Sequence, residues 1–187
     1  LTGWAWLDQL SIASVLAVLV AGLVDLSTPL TGWLGLGAAV INAFRLVGWK
    51  GWLVRGQPIA WVLHLGYGWL VAGLAIRGLA LTGDIATEAT ALHVLTVGAV
   101  GTMTLAIMTR AGLGHSGREI RATPAITFSY LLISVAVVLR VGGPLVMPET
   151  PHLAVFLAGV AWCLAFSIFS VVFWSILTGP KVGQQSD

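Results

Sequence analysis

Polar positions interrupt this chain at long, regular intervals. Between them run six stretches of largely apolar residues, 8 to 26, 30 to 49, 58 to 80, 88 to 110, 123 to 142 and 152 to 178. Each is close to the roughly 20 residues that a helix needs to cross a hydrocarbon core of about 30 Å. None shows the strict polar alternation of a strand in a half-buried sheet. The pattern predicts an all-α integral membrane bundle of six transmembrane helices in a single domain, 1 to 180, followed by a polar tail, 181 to 187. Pro29, Pro58, Pro124 and Pro151 stand at or just before four of the predicted starts, where a missing N–H costs the helix nothing.

Composition agrees with this pattern. Of 187 residues, 58% are hydrophobic and 9% charged, against about 25% charged in an average soluble domain. Nine tryptophans suit helix ends lying in the lipid interface, and 23 glycines suit close helix packing in lipid. The net charge of +2 comes from Lys and Arg spread over loops, with no basic run, so it does not point to nucleic acid. Its distribution reads as topology. Arg45, Lys50, Arg55, Arg110, Arg118, Arg121 and Lys181 fall on one side, and only Arg77 and Arg140 on the other, together with Asp25, Asp84 and Glu88. The positive-inside bias predicts cytoplasmic N- and C-termini. No Lys or Arg precedes the first stretch, so residues 1 to 24 do not read as a secretory signal, and a start at Leu1 reads as part of a longer protein.

Ionisable groups are expensive inside a membrane, so each is a candidate for function. His64 lies in the third stretch, within "WVLHLGYGWL", and His93 in the fourth, within "ALHVLTVGAVGTM". His115 falls in the polar segment "TRAGLGHSGRE", 109 to 119, and His152 opens the sixth stretch. In the fourth stretch His93, Val97, Val100, Thr104 and Met108 share one helical face, and Gly98, Gly101, Thr102 and Leu105 form a second, small-residue face suited to contact with neighbouring helices. That stretch is expected to be central. Each intramembrane histidine has two readings, a ring held by a backbone carbonyl or a ligand. His64 and His93 differ in depth by about 15 Å at 1.5 Å per residue, too far for both to bind one haem iron. His64 matches the depth of the "GLGHSGRE" loop instead, if that loop folds back. Arg110 and Arg118 are either positive-inside anchors or partners of an anion such as a haem propionate, and Gly112, Gly114 and Gly117 would let backbone come close to such a ligand. The single cysteine, Cys163, leaves no Cys-x-x-Cys-His, so any haem would be held without covalent links. Met103, Met108, Met147 and Cys163 make no spaced copper-binding set.

The run 91 to 119, with His93, Gly98, Gly101, Met103, Arg110, Gly114, His115, Gly117 and Arg118, resembles the signature of the NnrS family. The segments "FRLVGWKGW" and "PIAWVLHLGYGWL" resemble it too, through Arg45, Trp49, Pro58, His64, Tyr67 and Trp69. Ser116 stands where a threonine is more usual. The resemblance implies a multi-pass protein of the bacterial inner membrane, containing haem b and copper and involved in the nitric oxide response or resistance to nitrosative stress. Family members are longer, and the six stretches correspond to their second half. The expected partners are therefore the lipid bilayer, haem, and the absent N-terminal half or other membrane subunits. His64, His93 and His115 are the candidate metal ligands, with Tyr67, Arg110 and Arg118 as further cofactor contacts. Asp84, Glu88 and Glu119 lie at ends or loops, which disfavours a proton-consuming reductase built from this chain alone. Two other classes stay open: half of a membrane transporter, or an accessory transmembrane subunit of a respiratory or photosynthetic complex.

Overall fold

The computed structural model describes residues 5–83 and 86–182. Asp84 and most of the polar tail lie outside the described residues. The rest forms six long helices: α1 (Ala5–Leu23), α2 (Thr28–Gly48), α3 (Pro58–Thr82), α4 (Glu88–His115), α5 (Pro124–Val146) and α6 (Pro151–Thr178). All six are long and apolar enough to cross a membrane. Large apolar side chains such as Leu19, Phe44, Val138, Val171 and Trp174 are exposed, as expected of a surface covered by acyl chains.

The helices start where proline predicts. α2, α3, α5 and α6 each carry Pro in the first turn, and the Thr123 hydroxyl accepts from the Ile126 N–H to cap α5. α1 begins and ends about a turn earlier than its hydropathy suggests, and α5 runs on to Val146 through Pro144 in its last turn. Between α2 and α3 the chain reverses at Lys50, whose φ is 51°, into a 3-10 turn, Gly51–Val54.

α4 departs most from the sequence pattern. It continues past Arg110 to His115, so much of the segment read as a polar loop is helix. Gly117, at φ 71°, closes it. The Arg118 N–H bonds the Leu113 carbonyl and the Gly117 N–H the Gly114 carbonyl, the paired arrangement in which a left-handed residue satisfies the last carbonyls of a helix. α4 also contains a π-helical stretch, Val94–Val100, in which the Gly101 N–H reaches back to the Thr96 carbonyl. The wider turn breaks the 3.6-residue period. The expected face through His93, Val97, Val100, Thr104 and Met108 is therefore not continuous: Val100, Thr104 and Met108 are exposed, whereas His93 and Val97 are half-buried.

The bundle has two cores joined through α3. Val18 of α1, Ala38 and Ala39 of α2 and Leu74 of α3 form one. Ile59 and Val62 of α3, Leu105 and Leu113 of α4, Tyr130 and Ile133 of α5, and Phe169 and Phe173 of α6 belong to the other. α4 buries the largest share of its length, as expected of a central helix. Its small-residue face is buried as expected, Gly98 against Trp69 of α3 and Gly101 facing Trp162 of α6 and Ile133 of α5.

Glycine sets the helix spacing. A Cβ on Gly78 would lie 2.7 Å from Leu36 Cγ and 2.9 Å from the Gly32 carbonyl oxygen, and one on Gly73 would lie 2.5 Å from Leu95 Cδ2. Little apolar driving force exists between helices in lipid, so such close approach carries much of the association. Gly78→Leu is expected to lower unfolding stability by about 1–3 kcal/mol through overpacking. Gly37→Leu, at a position with nothing within 4 Å of a Cβ, should leave it nearly unchanged. Thermal unfolding of both variants in detergent checks this, and equal midpoints would contradict it.

Candidate functional site

Three helices bring polar side chains together near the arginine-rich end. Asp8 lies in the first turn of α1, Asn42 and Arg45 in the last two turns of α2, and Tyr67 in α3. Arg45 Nε donates to Asp8 Oδ1 at 2.7 Å, and Arg45 Nη1 donates to the Tyr67 hydroxyl at 3.0 Å. Tyr67 donates to Asn42 Oδ1 at 2.5 Å. Asn42 Nδ2 in turn donates to the Ala38 carbonyl at 2.7 Å and to Ser14 Oγ at 3.2 Å. Tyr67 and Asn42 are buried, whereas the Asp8 side chain is 49% exposed, so the chain of bonds runs from the bundle interior to its polar surface.

Trp49 closes this cluster. Its ring lies 4.8 Å from the Arg45 guanidinium carbon, 4.6 Å from the Tyr67 ring and 5.6 Å edge-on from the His64 ring. His64 is one turn from Tyr67 on α3. Its Nδ1 lies 3.2 Å from the Ala60 carbonyl oxygen. A carbonyl only accepts, so this bond puts the proton on Nδ1 and leaves the Nε2 lone pair free. Nε2 is buried without a hydrogen-bond partner among the described residues. The ring packs against Gly51, where a Cβ would come within 2.7 Å of His64 Cδ2.

The other predicted residues lie elsewhere. Gly66 against Met103, Trp69 against Gly98 and Gly73 against Leu95 fix an antiparallel α3–α4 register. That register puts His64 level with Thr104 and His93 level with Ala75, about 15 Å apart along the axis. His93 repeats the local bond of His64, with Nδ1 2.6 Å from the Ala89 carbonyl. His115 ends α4, level with the 3-10 turn and exposed. The "GLGHSGRE" segment continues α4 to His115 and turns at Gly117 against Val182. Among the described residues no three of His, Cys, Asp and Glu converge on one point.

Arg110 and Arg118 both face backbone. Arg110 Nη1 donates to the Ile59 carbonyl in the first turn of α3 at 3.1 Å, and Arg118 Nη1 lies 3.5 Å from the Ile176 carbonyl near the end of α6. Arg118 also borders an open groove of about 1250 Å³ between Ile59, Leu113, Phe128, Leu131 and Ile176, which no histidine lines. Two of the three glycines taken as room for a ligand have other tasks. Gly112 admits the Phe173 ring, and Gly117 supplies the left-handed cap against the Val182 carbonyl. A Cβ on Gly114 would only touch Ile120, at 4.0 Å.

Sequence reasoning missed Asp8, Ser14 and Asn42, and read Arg45 only as a topology marker and a family position. A signal was present. Asn42 and Arg45 recur at helical spacing on one face of α2, with Trp49 following at its C-cap, as Tyr67 and His64 do on α3.

Six apolar spans with a half-buried imidazole and an ionic network among them define a polytopic helical membrane protein with a polar site between its helices. The model of the NnrS protein family matches residues 1–181, essentially the whole described chain. The chain belongs to the NnrS family, a family of the nitric oxide response. No curated protein and no solved structure matches it.

The network makes a direct stability test. Tyr67→Phe removes the hydroxyl that links Arg45 to Asn42, and is expected to cost about 1–2 kcal/mol, since interhelical hydrogen bonds in lipid are worth about 0.6–1.7 kcal/mol. Thermal unfolding in detergent reads the loss. An unchanged midpoint would mean that the hydroxyl links nothing.

Proposed function

We propose that this chain is a haem-binding protein of the bacterial inner membrane acting in the nitric oxide response, with His64 as its protein ligand. The observation that carries this reading is the state of the His64 ring. Its Nδ1 is anchored on a main-chain carbonyl, and its Nε2 is buried with no partner among the described residues. Histidines that bind metals commonly have this form, because the bond at the far nitrogen fixes tautomer and orientation and makes the free nitrogen a better donor.

The donor count favours haem over a bare copper ion. A porphyrin brings its own nitrogens, so a single imidazole such as that of His64 would be enough to hold it. A copper ion would need several protein donors, and no such group forms among the described residues. When bound, haem would supply an iron centre for nitric oxide binding or electron transfer, with His64 as the residue that would hold it.

The surrounding residues have separate tasks. Gly51 leaves room for the imidazole, and Trp49 holds its edge. The Asp8–Arg45 pair and Tyr67 hold α1 and α2 against α3 next to it. His93 has the same anchored form near the other end of α4, so it is a second imidazole donor, at a depth that makes it independent of His64. On this reading His115 and Arg118, at the arginine-rich end, would meet polar groups of a cofactor or partner, which the exposure of His115 on α4 and the place of Arg118 beside the groove support.

The test is the absorption spectrum of purified protein. Wild-type protein is expected to show a Soret band, lost or shifted in His64→Ala and retained in His115→Ala. Gly51→Val, which crowds the ring without removing it, should weaken the band while the helices stay folded by circular dichroism. A colourless wild type supplied with haem, or a His64→Ala spectrum identical to wild type, would sink the assignment.

A further inference from the structure

At the end of the bundle away from the arginine-rich loops, an apolar crevice of about 270 Å³ lies between α4, α5 and α6. Val97, Ala136, Val155, Gly159 and Trp162 contribute to its walls, and Arg140 brings the one permanent charge. Arg140 lies six residues before the end of α5 at Val146, about 9 Å inside the helix end. Its guanidinium makes no hydrogen bond and no ion pair among the described residues. A guanidinium stays charged in any protein environment, and a charge at this depth is expensive without a counter-charge.

The crevice faces lipid. Val155, Trp162 and Cys163 are exposed beside it, on a surface that acyl chains cover. From Val155 to Cys163 it follows eight residues of α6, about 12 Å, with Arg140 toward its outer end because Gly143 abuts Ala154. Val97 sits in the middle of the π-helical stretch, so one wall is formed where α4 departs from regular helix. Such stretches occur often at functional sites.

From this geometry we infer that the crevice is a lipid site: it takes an acyl chain of an anionic phospholipid, with the lipid phosphate on Arg140. Charge complementarity selects the occupant. A neutral lipid would leave the guanidinium without its counter-charge, and a free anion would leave the apolar slot unfilled. The bidentate geometry of guanidinium with phosphate supplies the headgroup preference.

Two substitutions separate headgroup from slot. Arg140→Gln removes the charge and keeps the volume near. Gly159→Leu fills the slot from a position where a Cβ meets nothing within 4 Å, so it should not disturb packing. The full chain is reconstituted with equal phosphatidylglycerol and phosphatidylcholine, extracted in detergent, washed and analysed for retained lipid by mass spectrometry. Wild type is expected to retain phosphatidylglycerol several-fold over phosphatidylcholine. Arg140→Gln should lose the preference while still retaining some lipid, and Gly159→Leu should retain little of either, with an unchanged thermal midpoint as the folding control. Inorganic phosphate should not displace the lipid. An unaltered preference in Arg140→Gln, unaltered retention in Gly159→Leu, or displacement by inorganic phosphate would overturn the proposal; the last would mark a free-anion site.

Discussion

The close approach of α3 to its two neighbours is the constraint on which the rest of this structure depends. In lipid, an apolar helix surface gains little by leaving its surroundings, so helices hold where backbones come near and polar groups meet. α3 does this on both sides. Gly78 lets α2 in at Gly32 and Leu36, while Gly66 and Gly73 let α4 in at Met103 and Leu95. Gly73 and Gly78 leave no room for a methyl group, and Gly66 leaves little. The α3–α4 register is therefore fixed by shape, and with it the depth of every polar residue that the two helices carry.

The polar cluster follows from the same approach. Asp8, Asn42, Arg45 and Tyr67 can meet only because α1, α2 and α3 lie within side-chain reach near the arginine-rich end. Once there, each polar atom stabilises another: the carboxylate offsets the guanidinium, the phenol joins guanidinium to amide, and the amide returns to its own helix at Ala38. Burying any of these alone would be costly. His64 stands beside this satisfied network as the exception. Its Nδ1 is used and its Nε2 has no partner among the described residues, while Tyr67 and Arg45 bond to other groups.

The spans were legible because a run of about 20 apolar residues admits few alternatives, and proline marked four of the starts. The central place of α4 was legible from Gly98, Gly101, Thr102 and Leu105, which need neighbours on one face. Two things were not. The segment 109 to 119 read as a polar loop in which Gly112, Gly114 and Gly117 left room for a ligand, but a phenylalanine from α6 occupies the space beside Gly112, and only Gly117 leaves the helical region. The π-helical stretch has no residue signature, and it broke the face drawn from His93 to Met108. Of the site, the sequence showed His64, Tyr67 and Arg45 as individual positions. Their assembly with Asp8 and Asn42 depends on three helices that periodicity treats one at a time.

The depths of the histidines divide the bundle. His64 belongs with α1, α2 and α3 near the arginine-rich end, whereas His93 lies about 15 Å further along α4, toward the end where Arg140 and the crevice sit. Arg77 is at that end as well, its Nη2 against Gly22 of α1. The chain therefore carries two polar regions that share helices but no contact, and substitutions in them should act nearly additively, as sites more than about 7–10 Å apart without shared partners do. What connects the regions is the α3–α4 pair itself. A change in that register would move both at once, and Gly66, Gly73 and Gly98 are the glycines at which it is set.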